Sequence, residues 1–95
     1  MTASFSRRAK ADIRGIWDYT VDVWGTGQAG IYLGILEAAV DAIAENPKLG
    51  RPCNDIRQGY RKHLVGSHVL YYRLKRKGVF VVRILHQRMD PERNL

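Results

Sequence analysis

The chain has 95 residues, of which 45% are hydrophobic and 26% charged, and its formal net charge is +7. This length allows a single domain with one hydrophobic core, and these proportions exclude wholesale disorder. The single cysteine, Cys53, excludes an internal disulfide and a four-cysteine zinc site. The apolar runs are too short to cross a membrane, so we expect one cytoplasmic domain over residues 1–95. The three histidines do not have the spacing of metal ligands, so we expect no metal site, and we expect no cofactor.

Basic side chains are concentrated in the second half of the chain. Residues 1–47 carry a net charge of −2, whereas residues 48–95 carry +9. This asymmetry favours an acidic or polyanionic partner for the second half. A basic solvent-exposed surface explains the charge equally well, because net charge governs association rather than fold.

The N-terminal third predicts a short strand followed by an amphipathic helix. Residues 2–5 are compatible with a strand, and Ser6 is a good N-cap because its hydroxyl can accept a free backbone N–H. Gly25 ends the helix, since glycine tolerates the left-handed conformation. Trp17 and Trp24 are seven positions apart, which favours packing within the helices over a ligand platform. The apolar stripe consists of Ala9, Ile13, Ile16, Trp17, Thr20 and Trp24.

A second helix follows almost at once. Thr26 is the expected N-cap, and Asn46-Pro47 stops the helix because the residue before a proline avoids the helical region. So short a link between two helices predicts an antiparallel helix hairpin. The stripe of the second helix consists of Tyr32, Leu33, Leu36, Val40, Ile43 and Ala44.

The remainder of the chain is predicted to form a turn-rich segment and three strands. Residues 47–59 are rich in turn-forming residues, and strands are predicted over 60–65, 68–74 and 79–85. The unbroken apolar run 79–82 is typical of a central strand covered on both faces. The polar tail is compatible with a turn or one helical turn.

These elements predict an α+β fold in the order β-α-α-β-β-β. The helix hairpin is expected to lie on one face of a small antiparallel sheet, with the first strand beside the last. On this basis Tyr72, Leu74, Val82 and Ile84 are core residues, and the strand arginines line a solvated or partner-covered face.

The residue types alone suggest two possible catalytic sites. Cys53 is a conceivable nucleophile with His63, His68 or His86, but it has no local motif, so an unreactive thiol is favoured. The basic and aromatic strand residues are compatible with metal-free RNA cleavage, because cations can neutralise phosphate and an acid can protonate the leaving oxygen. Those strand residues are Arg61, Lys62, His63, His68, Tyr71, Tyr72, Arg73, Arg83, His86 and Arg88.

Four segments follow one another in a familiar order: Ile16-Trp-Asp-Tyr-Thr20, Ala44-Glu-Asn-Pro-Lys-Leu-Gly-Arg-Pro52, Gly66-Ser-His-Val-Leu-Tyr-Tyr-Arg73 and Val82-Arg-Ile-Leu-His-Gln-Arg-Met-Asp90. Together they resemble toxins of the ParE branch of the RelE/ParE superfamily, which belong to bacterial type II toxin–antitoxin modules. The resemblance extends over residues 3–95. It implies the RelE/ParE fold, two helices followed by an antiparallel sheet, in agreement with the elements predicted above.

The resemblance also implies partners and an activity. Such toxins are held by a ParD-like antitoxin with an acidic, helical C-terminal segment, in a hetero-oligomer that is typically a heterotetramer. They inhibit DNA gyrase by binding, without catalysis. We therefore expect antitoxin contacts at Arg61, Tyr71, Arg73, Arg83, Trp17 and Leu36, with the helix hairpin leaving an apolar groove for the antitoxin. Gyrase contacts are expected at His86, Arg88, Met89 and Arg93.

Two alternatives within the superfamily stay open. A RelE-like toxin would cut messenger RNA on the ribosome, with Arg83, His86 and Arg88 as catalytic residues. Against this, Val69 stands where RelE-like toxins carry an arginine, and the tail 90–95 has no tyrosine. A toxin that has lost its toxicity would act only as antitoxin partner and corepressor, with no sequence-specific DNA contact of its own.

Overall fold

A computed structural model describes residues 2–95. It contains all the predicted elements, including the single helical turn that the polar tail allowed, together with a two-residue strand in the turn-rich segment. The elements are β1 (Thr2–Phe5), α1 (Arg7–Trp24), α2 (Thr26–Glu45), β2 (Arg51–Pro52), β3 (Tyr60–Val65), β4 (His68–Lys75), β5 (Gly78–His86) and α3 (Pro91–Asn94). No helix among these is both long enough and apolar enough to span a membrane.

The five strands form one sheet in the order β1-β5-β4-β3-β2. The predictions that β1 lies beside the last strand and that β5 is central are both confirmed. β1 runs parallel to β5, and the other neighbours are antiparallel, so the antiparallel sheet is extended by one parallel edge strand. β1 pairs only with the first half of β5, and its last partner there is Val81.

The two helices pack against one face of the sheet. The Ser6 hydroxyl accepts the Ala9 N–H at 2.9 Å, which confirms the predicted N-cap of α1. Gly25 has φ +91°, a conformation that glycine adopts without strain, and it ends α1 as predicted. The predicted cap role of Thr26 is wrong: Gly25 is the N-cap of α2 as well, and Thr26 is already helical.

The main core lies between the helices and the sheet. It is built from Ala9, Ile16, Leu36, Val40, Ile43, Ala44, Leu70, Tyr72, Val79, Val81 and Ile84. The Tyr72 hydroxyl donates to the Pro47 carbonyl oxygen at 2.7 Å and accepts the Gly50 N–H at 2.9 Å. These two bonds hold the segment that follows α2 against the sheet and satisfy a buried polar group.

A β-bulge changes which side of β5 faces the core. Tyr71 is opposite Arg83, but Tyr72 is opposite Val81, so Val82 is the extra residue. Because the alternation shifts there, Val81 and Ile84 both face the helices. The core prediction is therefore right for Tyr72 and Ile84 and wrong for Leu74, which is 43% exposed, and for Val82, which lies outside the core.

A second, smaller apolar cluster covers part of the opposite face of the sheet. Its buried members are Cys53, Tyr71 and Leu85, and Leu95 at the end of the chain packs against them. Arg57 donates to the Leu95 carbonyl oxygen at 2.8 Å, which fixes the C-terminus over this cluster.

Candidate partner-binding site

A groove of about 860 Å³ opens between α1, the start of α2, the β3–β4 turn and the end of β5. Its wall is mainly apolar and aromatic, a surface that can accommodate the apolar side of a partner segment. The side chains that give it this character are Tyr19, Trp24, Tyr32, His68, His86 and Met89.

One end of the groove is held together by hydrogen bonds between Tyr32 and the β3–β4 turn. The Tyr32 hydroxyl accepts the Ser67 N–H at 3.1 Å and lies 2.6 Å from His68 Nδ1. Burial lowers the pKa of His68, and the neighbouring His86 lowers it further, whereas Asp12 opposes both effects. His68 is therefore neutral near pH 7, and its Nδ1 can accept a hydrogen bond from the Tyr32 hydroxyl.

His86 lies beside this pair. Its ring meets the His68 ring edge-on, with 5.5 Å between the ring centroids. Its Nδ1 accepts the Arg88 N–H at 3.1 Å, which orients the turn after β5. The groove therefore ends in a cluster of two histidines and a tyrosine.

The Asp12 carboxylate fastens α1 to β5 along the side of the groove. It accepts two bonds from the Arg83 guanidinium, both at 2.8 Å, and the Ile84 N–H at 2.9 Å. The Ile84 N–H lies beyond the end of β1, so a side chain from α1 satisfies the uncovered edge of β5. Arg83 also donates to the Asn94 carbonyl oxygen at 2.6 Å. The hydrogen bonds that Arg83 donates to Asp12 raise the pKa of Arg83 against the effect of burial.

The six residues expected to contact an antitoxin do not form one surface. Leu36 lies in the main core and Tyr71 in the second cluster, so neither presents its side chain to a partner in this structure. Arg83 is buried and engaged with Asp12, so its role here is structural.

The other three expected antitoxin contacts are accessible to different degrees. Trp17 is exposed on α1. Arg73 is exposed on β4, with its guanidinium carbon 4.7 Å from the Phe80 ring centroid. Arg61 is half-buried and donates to the carbonyl oxygen of Gly50 at 2.9 Å.

The four residues expected to contact gyrase lie close together in the chain, at the end of β5 and beyond it. His86 and Met89 line the groove, and Arg88, between them, is exposed. Arg93 lies on α3, where it makes a long, exposed ion pair of 3.8 Å with Asp90. The structure thus brings His86 and Met89 to the groove, with Arg88 between them in the chain.

Sequence reasoning missed the aromatic wall of the groove. Tyr19 was not singled out, and Trp24 was expected to pack within the helices, yet its side chain is 69% exposed. Its position as the last residue of α1 is the available signal, because a side chain at the end of a helix has no following turn of that helix beside it.

The structure disfavours Cys53 as a nucleophile. Burial raises the pKa of the Cys53 thiol, an effect that the nearby Lys62 only partly opposes, so the reactive thiolate is disfavoured. Within residues 2–95, no three His, Cys, Asp or Glu side chains are grouped closely enough to hold a metal ion.

Comparison with known proteins identifies the family. A sequence model described as "ParE toxin of type II toxin-antitoxin system, parDE" matches residues 3–91. The chain belongs to the ParE toxin family. It is 53% identical over 91 residues to Toxin ParE1 of Mycobacterium tuberculosis, covering 95% of this chain and 93% of the relative. It is 44% identical over 90 residues to Toxin ParE1 of Caulobacter vibrioides, with the same two coverages.

A solved structure, titled "Chromosomal ParDE TA system from P. aeruginosa", shares the fold. It superimposes with a TM-score of 0.78 at 24% identity, over 90% of this chain and 95% of that chain. ParE membership confirms the resemblance drawn from the four sequence segments, and the superposition confirms the α+β fold. The protein is therefore a toxin of the type II toxin–antitoxin class.

Proposed function

We propose that this ParE toxin inhibits DNA gyrase by binding it and is neutralised by a ParD-like antitoxin. The observation that carries the antitoxin half of the proposal is the groove, an apolar and aromatic opening in a strongly basic chain. An amphipathic antitoxin segment with apolar anchors and acidic flanks is complementary to both features. Gyrase inhibition requires the toxin to act in the cytoplasm.

The cations of the chain are available to an acidic partner. Within residues 2–95, only Arg83 and Arg93 form salt bridges with carboxylates. Arg88 is exposed and directly precedes Met89, which lines the groove. We expect the antitoxin to insert apolar side chains between Trp24 and Met89 and to direct carboxylates towards Arg88. Trp17, Arg61 and Arg73 remain candidate contacts outside the groove.

Two considerations support gyrase as the target. The family assignment favours the ParE activity over the RelE activity. In addition, the RelE-like alternative relies on Arg83, whose guanidinium is already held by Asp12 and the Asn94 carbonyl oxygen. That leaves His86 and Arg88 without a free Arg83 guanidinium to neutralise the phosphate. We therefore favour inhibition of gyrase by binding over RNA cleavage, with contacts through His86, Arg88, Met89 and Arg93.

A substitution in the groove wall tests the antitoxin site. We expect Trp24→Ala to weaken antitoxin binding by about 30-fold, because a large aromatic anchor typically contributes about 2 kcal/mol or more at an interface. Leu64→Ala is a matched control, since Leu64 is 62% exposed and Trp24 is 69% exposed, but Leu64 lies outside the groove. Calorimetric titration with the antitoxin measures the affinity of each variant. Similar losses of affinity for the two variants would show that the groove is not the antitoxin site.

Expression of the toxin alone separates the candidate functions. A gyrase inhibitor induces the DNA damage response while translation continues at first, and co-expressed antitoxin relieves the effect. Immediate arrest of translation with cleaved messenger RNA would instead support the RelE-like activity. Normal growth, with a folded toxin present, would support a partner and corepressor without toxicity.

A further inference from the structure

The face of the sheet turned away from the helices carries a line of cations. Arg51 on β2 is directly opposite Lys62 on β3, and Lys62 is opposite Tyr71 on β4. Arg73 lies two residues further along β4, diagonal to Lys62 and therefore on the same face. Tyr71 belongs to the cluster on the face away from the helices, which identifies that face as the one carrying the three cations. We name Arg51, Lys62 and Arg73 the basic track.

Nothing in the sheet compensates the charge of the basic track. The five strands contain no Asp or Glu, and six of the nine acidic residues lie in the helices α1 and α2. Like charges directly opposite each other on neighbouring strands destabilise a sheet, and Arg51 and Lys62 form such a pair. A bound anion would remove this repulsion, and an opening of about 570 Å³ lies over Arg51, Lys62 and Tyr71.

The arrangement of the cations favours an extended polyanion. The basic track crosses three strands, with side chains about 5 Å apart across a directly opposed pair and about 7–8 Å apart across a diagonal one. A single small anion would engage only one end of this line. A nucleic-acid backbone presents a row of phosphates to it.

The aromatic rings on this face are covered by other side chains, which favours a duplex over a single strand as the ligand. Proteins bind single strands by stacking bases on exposed rings. Here the Arg73 guanidinium covers Phe80, and the Arg57 guanidinium lies 5.7 Å from the Tyr60 ring centroid. Tyr71 is buried beneath its neighbours. The cations are accessible, whereas a stacking platform is not.

We propose that the basic track binds the phosphate backbone of duplex nucleic acid without reading its sequence. This activity goes beyond the proposed function, because it belongs to the toxin alone and requires neither gyrase nor antitoxin. An acidic antitoxin segment that reached Arg73 would compete with the duplex for it.

Binding of the full chain to a short fluorescent DNA duplex, followed by anisotropy over a range of salt concentrations, tests the proposal. Three phosphate contacts predict a slope of log K against log salt of about −2.7, or roughly a 40-fold loss of affinity between about 50 and 200 mM salt. Each neutralised residue of the basic track should reduce the magnitude of the slope by about one. A duplex RNA and a single-stranded DNA of equal length complete the set of probes.

The matched comparison uses two triple variants of equal net charge. The first is Arg51→Gln with Lys62→Gln and Arg73→Gln, and the second is Arg7→Gln with Arg8→Gln and Lys10→Gln at the start of α1. We expect the first to lose duplex binding and most of the salt dependence, and the second to retain both. The single variant Lys62→Gln, with its thermal midpoint measured alongside, gives the same test should the triple variant fail to fold.

Three results would overturn the proposal. Equal losses in the two triple variants would mean that only net charge matters. Tighter binding of the single strand than of the duplex would contradict the duplex assignment. No binding to any of the three nucleic acids, together with weaker antitoxin binding by the first triple variant, would assign the basic track to the antitoxin. None of these results depends on whether gyrase is inhibited.

Discussion

Asp12 and Arg83 join α1 to β5 across 71 positions of the chain. Their side chains are 14% and 11% exposed, so both charges are largely removed from water. Such a pair is stable only when its remaining donors and acceptors are satisfied. Here the Ile84 N–H and the Asn94 carbonyl oxygen satisfy them. One carboxylate therefore fixes the helix, the central strand and, through Arg83, the C-terminal segment.

Removal of this carboxylate is expected to be costly. Asp12→Ala leaves the Arg83 guanidinium buried without its partner, which should lower the free energy of unfolding by about 3–5 kcal/mol. Asp12→Asn keeps an acceptor for the Ile84 N–H and should cost less. Arg93→Ala, which removes the exposed ion pair with Asp90, should change the free energy of unfolding by no more than about 0.5 kcal/mol. Urea unfolding measures all three, and equal costs for Asp12→Ala and Arg93→Ala would contradict this account.

The apolar stripe of α1 predicted only part of its buried side, because Trp17 and Trp24 are exposed, and it gave no indication of Asp12. Ala9, Ile16 and Thr20 are buried as the spacing predicts. Asp12 lies off the stripe, and its partner comes from the last strand, so no local pattern connects the two. Arg83 was singled out for its charge and expected at an interface, because a buried cation and a surface cation have the same appearance in a sequence.

At the level of secondary-structure elements, Tyr32 fixes the start of α2 to the β3–β4 turn. Gly66 in this turn has φ +57°, and the Tyr32 ring occupies the space where a Cβ at this position would lie. An unprotonated Nδ1 of His68 accepts a hydrogen bond from the Tyr32 hydroxyl, whereas a protonated one can only donate to it, so this attachment changes with the protonation of His68.

This attachment predicts that stability decreases as the pH falls. The pKa of His68 is lower in the folded chain than its ordinary value near 6.5, so below that value the unfolded state binds more protons. Tyr32, His86 and Asp12 are the titratable groups that face it. The free energy of unfolding should fall between about pH 7 and pH 5. The variant His68→Asn keeps an acceptor for Tyr32, and its free energy of unfolding should fall less steeply over the same pH range. Identical pH profiles for the variant and the unmodified protein would exclude His68 as the cause of the pH dependence.

Strand prediction succeeded where the pattern is local and failed where it depends on pairing. β3 spans Tyr60–Val65 as predicted, and the predicted bounds of β4 and β5 are short by one residue at one or both ends. The strand β2 is only two residues long and exists because it pairs with β3. The bulge at Val82 depends on the register between β4 and β5, which explains why Leu74 and Val82 were wrongly expected in the core.

At the level of the whole molecule, the two layers differ in charge. The helices carry most of the carboxylates, whereas the sheet and its turns carry most of the cations. The asymmetry between the halves of the sequence predicted this separation, because the first half forms the helices and the second half most of the sheet. The family resemblance implied an apolar groove on the helix hairpin, but the charge asymmetry did not locate the groove, which is assembled from α1, α2, the β3–β4 turn and β5. Surfaces of this kind depend on tertiary packing rather than on local spacing.

The central claim, that this toxin inhibits gyrase by binding and is released by its antitoxin, is tested most directly by a supercoiling assay with purified gyrase. We predict that the toxin prevents supercoiling, that cleaved DNA accumulates, and that equimolar antitoxin restores the activity. Undiminished supercoiling by gyrase in the presence of excess folded toxin would contradict the claim.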